Sequence, residues 1–192
     1  MTMEISLIRH GKSMHLESNR INYKDFQKWV EKYDSSGVFE ENAYPSVTLE
    51  KIGTANVLIT SDLKRAIESA SFLNQNKNVG VISDSLFREI ELPTSPTELG
   101  LKLSPNSWTI MLRCLWLCGY SKRCEPLTSA KRRAKLASEQ LVKYAEQYKS
   151  VVLVGHGFFN RLIAEELKKK NWEGKRKSSV KHWGCTTYSL LN

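Results

Sequence analysis

The chain is short of acidic side chains: 20 Asp and Glu stand against 29 Lys and Arg, leaving a net charge of +9. That surplus favours acidic ligands, and phosphate esters, nucleic acids and anionic membranes all qualify. Long apolar runs are missing as well. The most apolar stretch, Trp108 to Cys118, falls far short of the ~20 residues that a membrane-spanning helix needs. A buried helix is the expectation there, ahead of a partner or membrane-contact surface. No secretion signal is expected, because Glu4 interrupts the apolar start. Cysteine is sparse, and Cys114, Cys118, Cys124 and Cys185 include no Cys-x-x-Cys pair. That excludes the common zinc and dithiol signatures and suits reduced thiols in a cytoplasmic protein. Cys114 and Cys118 share a helical face, where core packing is expected rather than a metal pair. Neither an internal repeat nor a domain boundary is visible, so residues 1–192 read as a single domain large enough for a sizeable core.

What is present centres on one device used twice. Ile5, Leu7 and Ile8 make a short apolar run that stops on Arg9-His10-Gly11, and Gly11 is expected to turn the backbone away. Far downstream, Val151-Val152-Leu153-Val154 stops on Gly155-His156-Gly157. If the two strands are parallel neighbours, both imidazoles meet over one crevice at the carboxyl edge of a sheet. Further strands are expected at Asn56–Thr60, at Val79–Ile82 and, as a last edge strand, at Thr186–Leu191. Helical spacing marks Asn19–Asp34, the stretch after Ser61, Thr128–Lys149 and Phe159–Lys169. Asn76-Lys77-Asn78 reads as a turn, and residues 38–55 as loop with at most a short helix. Ser61 is read as a helix cap, and Lys131-Arg132-Arg133 with Lys135 as a solvated face. Alternating strands and helices predict an α/β fold of three layers, a mostly parallel central sheet with helices on both faces.

Around the two histidines stand groups suited to a phosphate dianion. Arg9 adjoins His10, and Arg65 lies in the first turn of the helix after the second strand. Their guanidinium forks match phosphoryl oxygens. The loop Phe87-Arg88-Glu89-Ile90-Glu91 places either Glu89 or Glu91 over the same edge as a general acid. His15 and His182 read as ordinary satisfied histidines. Gly11-Lys12-Ser13 also mimics the end of a P-loop, but Ser6 occupies the position where that motif requires Gly.

Four blocks, Leu7-Ile8-Arg9-His10-Gly11, Ser61-Asp62-Leu63-Lys64-Arg65-Ala66, Phe87-Arg88-Glu89 and Gly155-His156-Gly157, resemble in order and spacing the signature of the histidine phosphatase (phosphoglycerate mutase-like) superfamily. The resemblance implies a metal-independent phosphatase without a cofactor, acting on a phosphate monoester. His10 would be the nucleophile, His156 would stabilise the phosphoryl group, and Arg9 and Arg65 would clamp its oxygens. Glu89 would protonate the leaving oxygen and deprotonate the attacking water, and Ser13 would offer a hydroxyl to the phosphate. Lys12 departs from the acidic residue common at its position. His15-Leu16 replace a Trp-Asn pair of phosphoglycerate mutases, and Leu92-Pro93-Thr94-Ser95-Pro96 replace a Gly-x-Trp-Glu-Gly stretch. These departures count against a mutase and leave the substrate open between a phosphorylated small molecule and a phosphoprotein. A catalytically weak member that binds a phospho-ligand or regulates is the alternative. The basic runs Lys168–Lys170 and Lys175–Lys177 are read as helix-end lysines rather than a nucleic-acid site. Residues from about 91 to 125 are expected to cap the crevice and to set specificity.

Overall fold

Continuous apolar strands demand cover on both faces, and the arrangement of the core shows why these strands carry them. The computed structural model describes residues 2–75, 77–96 and 100–191. In β1 (Thr2–Arg9), Ile5 and Leu7 enter one core while Ile8 enters the other. In β4 (Ser150–Gly155), Val151 and Leu153 go with the first core and Val152 and Val154 with the second. Between these strands lie α1 (Tyr23–Ser35), α2 (Ser46–Gly53), β2 (Val57–Thr60), α3 (Lys64–Asn74), β3 (Val81–Ser83), α4 (Pro105–Leu117) and α5 (Leu127–Tyr148). After β4 come α6 (Gly157–Lys169), β5 (Glu173–Gly174) and β6 (Cys185–Leu191). The sheet runs β3-β2-β4-β1-β6-β5, with β3, β2, β4 and β1 parallel, β6 antiparallel to β1, and β5 antiparallel to β6.

Helices α5 and α6 cover the first face through Ala134, Ala137, Leu141, Phe159 and Ile163, while α2 and α3 cover the second through Ile52, Ala70 and Leu73. The expected three-layer α/β fold is therefore present. A third, smaller cluster joins α1 to α4 through Phe26, Trp108 and Leu112.

Residues 38–55, expected to hold at most a short helix, hold the short α2 and need no correction. The structure corrects several other expectations. Helix α4 starts inside the proline-rich stretch because Pro105 sits in its first turn, where a missing N–H costs nothing, and the Ser104 hydroxyl accepts the Ser107 amide. Only one side of α4 is buried: Trp108, Leu112 and Trp116 face inward, whereas Ile110 is 65% exposed and Cys114 and Cys118 are exposed too. Those two thiols are not core residues. β6 is not the edge, since β5 pairs beyond it. Trp172 is buried, and Lys169 and Lys170 pair with Glu166 and Glu139. Arg133 is not solvated: it binds Glu125 at 2.8 Å and lies 3.9 Å over the Phe159 ring. Residues 97–99 of the expected cap, and Asn76 of the expected turn, lie outside the described residues.

Candidate active site

Parallel pairing of β1 and β4 sets Arg9 opposite Gly155, so the residue after each strand is a histidine at the same edge. The His10 and His156 ring centroids are 5.2 Å apart, and both side chains are buried. His10 Nδ1 lies 2.8 Å from the Gly11 carbonyl. A carbonyl can only accept, so Nδ1 carries the proton and Nε2 keeps a lone pair in the neutral ring. His156 Nε2 lies 2.6 Å from the Ser61 hydroxyl, and its Nδ1 is buried with no protein partner. Ser61 thus orients the second imidazole rather than capping α3, whose N-cap position is Leu63.

Both imidazoles are pushed well below the ordinary histidine pKa. Burial is the main cause for each. Arg65 and then Arg9 add to it at His10, while His10, Arg65 and Arg9 add to it at His156. Both rings are therefore neutral at neutral pH, and the first holds an unprotonated nitrogen beside two fixed cations.

The cations are held from several elements. Arg9 runs along Gly157, where an added Cβ would come within 3.2 Å of its Cδ, and its guanidinium donates to the Val180 carbonyl. Arg65 donates to Asp34 at 2.6 Å and lies 5.1 Å over the Tyr33 ring. The Nε atoms of both arginines are buried without protein partners, as is Nδ1 of His156. Two unmatched guanidinium donors suit an oxygen-rich anion.

Glu89 reaches the site from the loop after β3. Its carboxylate accepts the Phe159 amide at 2.9 Å, the Phe158 amide at 3.1 Å and the Ile90 amide at 3.0 Å, so it sits on the N-terminal end of α6. An anion is favoured at that pole of a helix. Arg133 secures the same loop by donating to the Leu86 and Arg88 carbonyls at 3.0 and 2.8 Å. Glu91 also borders the cavity but is exposed. Arg88 turns to Asp62, with both contacts at 2.6 Å, and holds its carboxyl below the usual range.

A cavity of about 300 Å³ is bordered by Arg9, His10, Arg65, Glu89 and Arg113, while His156 lies buried behind His10 and does not line it. Leu92, Asn106 and Thr109 also border it, so the segment from 91 onward contributes to its wall. A larger recess of about 800 Å³ lies beside Tyr23 and Lys24, and neither histidine borders it. Ser13 is buried near His10 in sequence, but its hydroxyl accepts the His15 amide at 3.2 Å and it does not border the 300 Å³ cavity. His15 packs on Trp29 at 5.1 Å.

Sequence reasoning missed a strap at residues 178–184. His182 is not an ordinary surface histidine: its ring lies 5.6 Å from that of His10, and its Nδ1 lies 3.1 Å from the His10 carbonyl. Trp183 donates its amide to the Arg9 carbonyl at 3.0 Å and lays its ring against Gly11. Gly11 is needed for that close approach, and among the described glycines positive φ occurs at Gly119 alone. A signal for Ser61 was available, since it follows β2 as the histidines follow β1 and β4. The strap had none, being remote in sequence from Arg9, His10 and Gly11.

The profile of the histidine phosphatase superfamily (branch 1) matches residues 42–190, more than half of the chain, and the chain belongs to that superfamily. Among solved structures, a mycobacterial glucosyl-3-phosphoglycerate phosphatase superposes with a TM-score of 0.61 at 16% identity, covering 98% of this chain and 91% of its own. A phosphoglycerate mutase from Bacillus anthracis str. Sterne gives 0.61 at 17% identity, covering 98% and 88%. A putative alpha-ribazole-5'-P phosphatase from Escherichia coli gives 0.53 at 15% identity, covering 85% and 78%. At such identities the likeness is one of fold. No curated protein is significantly similar in sequence. Among the described residues, no helix is long and apolar enough to cross a membrane.

Proposed function

We propose that the chain is a phosphatase that hydrolyses a phosphate monoester through a phosphohistidine at His10. The observation that carries this reading is the His10 imidazole, whose Nδ1 is tied to the Gly11 carbonyl while Arg9 and Arg65 act on the same ring. In the first step Nε2 attacks phosphorus, a P–N bond forms, and the P–O bond to the alcohol breaks. Glu89 gives its proton to the departing oxygen. Water then attacks phosphorus and passes a proton to Glu89, and the P–N bond breaks to return the lone pair to Nε2. Arg9, Arg65 and His156 bind the phosphoryl oxygens throughout, and fixed positive charge of this kind is the main source of rate in phosphoryl transfer. No metal or cofactor is assigned a role. The four free cysteines, two of them exposed, fit a reducing, cytoplasmic compartment.

Rapid quench with a labelled phosphate ester tests the reading. An acid-labile, base-stable adduct should map to His10, and His10→Ala should abolish it. An adduct on a serine or carboxylate, or full turnover by His10→Ala, would overturn the mechanism. Saturable phosphate binding with no adduct and no turnover would instead favour a phospho-ligand-binding module.

A further inference from the structure

The cavity beside His10 has a second character besides its phosphate-facing cations. From α1, Trp29, Val30 and Tyr33 project into its wall, and Leu63, Ile90 and Leu92 complete an apolar lining. The Trp29 ring is fixed before any ligand arrives. It stacks on Phe26 at 6.0 Å with a 10° tilt and on Tyr33 at 5.2 Å with a 16° tilt. Its N–H is committed to the Glu17 carbonyl at 2.9 Å, so what the ring offers a ligand is apolar surface.

Most of the charges further out are committed to partners within the protein. Arg88 is doubly bonded to Asp62. Arg113 donates through one nitrogen to the Ile90 carbonyl at 2.8 Å and lies over the Phe158 ring at 4.7 Å, while its Nη1 is buried without a protein partner. Arg65 already gives one nitrogen to Asp34. Asp34 and Glu91 themselves border the cavity and repel negative charge. A volume of about 300 Å³ is at the small end for ligand pockets, which run from ~300 to ~1,000 Å³.

From these observations we infer that the site favours a phosphate monoester whose alcohol part is an apolar ring, as in an aryl phosphate. The inference rests on the phosphatase reading above and names its substrate class.

Phosphonates test it, because their C–P bond is not cleaved and leaving-group reactivity drops out. Displacement of inorganic phosphate, followed by calorimetry, gives the affinities of methylphosphonate, benzylphosphonate and phosphonoacetate. Benzylphosphonate should bind about tenfold or more tighter than methylphosphonate, an apolar-ring gain of the expected size. Phosphonoacetate should bind more weakly than benzylphosphonate. The benzyl-to-methyl ratio should shrink several-fold in Trp29→Ala, and also in Trp29→Leu, which keeps apolar bulk in the stack. The wild-type ratio decides by itself if either variant does not fold. A ratio near one, or phosphonoacetate binding tighter than benzylphosphonate, would overturn the substrate class. If phosphate still binds and His10 is still phosphorylated, the phosphatase reading survives that result. Failure of phosphate and all three phosphonates to bind would overturn both.

Discussion

Glu89 holds two positions at once: it caps the first turn of α6 and stands over the cavity beside His10. Those positions make separable demands on its carboxylate. Capping needs oxygens that accept amides, whereas proton transfer needs an acid that can gain and lose a proton. Glu89→Gln keeps one acceptor and turns an N–H toward a backbone amide, so stability should fall by ~1–3 kcal/mol as a buried hydrogen bond is lost. Turnover should fall in proportion to how poor the leaving alcohol is. An alkyl phosphate should lose about 10²–10⁴ in rate, and nitrophenyl phosphate, whose phenolate leaves almost unaided, much less. Rates for both substrates, taken with a denaturant midpoint for each protein, separate the two effects. Equal losses on both substrates would move the acid elsewhere, and a leaving-group-dependent loss in Glu91→Gln would move it there.

The strap from 178 to 184 is the element that holds Arg9, His10 and Gly11 in register. Its carbonyl at Val180 takes the Arg9 guanidinium, His182 meets the His10 carbonyl, and Trp183 meets Gly11. Trp183 has φ +60°, a left-handed conformation that bulky side chains rarely adopt. The Thr48 hydroxyl, 2.6 Å from the Trp183 carbonyl, helps to hold it there. An added Cβ at Gly11 would lie 2.1 Å from the Trp183 ring, so one of the two must move. Gly11→Ala should therefore cost ~1–3 kcal/mol of stability, the usual range for overpacking, and slow turnover by displacing its neighbour His10. Combining it with Trp183→Gly removes the clash and relieves the left-handed strain. The double variant should be more stable than the sum of the single losses predicts. Additive losses would mean that the ring and Gly11 do not press on each other.

At the scale of the whole molecule, the two buried histidines couple folding to pH. Both titrate well below the ordinary value in the folded chain, whereas unfolding returns them to ~6.5. The unfolded chain therefore binds more protons in the interval below that value. Their contribution to stability is complete above pH ~6.5 and is lost as the pH falls toward the folded values. Asp62, drawn down by Arg88 from its ordinary 3.8, adds a loss only at more acidic pH. Midpoints of denaturant unfolding should hence be flat from pH 8 to 7 and decline toward pH 5. His156→Asn should flatten that decline. A midpoint unchanged between pH 7 and 5 in the wild type would show that these rings protonate freely in the folded state.

The sequence by itself determined the parallel strands of the sheet and the pair of histidines. Ile5 to Ile8 and Val151 to Val154 are apolar without alternation because both faces of their strands are covered. A parallel neighbour then puts the residue after each strand at one edge. Local pattern is enough for that. Other parts of the site depend on contacts between residues far apart in the chain, and no local pattern encodes them. Ser61 meets His156 only because β2 lies beside β4. Arg133 reads as a surface cation until the loop after β3 folds against α5 and supplies its carbonyls. The aromatic wall exists because α1 packs on α4, whose one-sided burial the run from Trp108 to Cys118 conceals: its exposed positions are apolar too. The strap reaches Arg9 from the far end of the chain, and tertiary packing alone decided that contact.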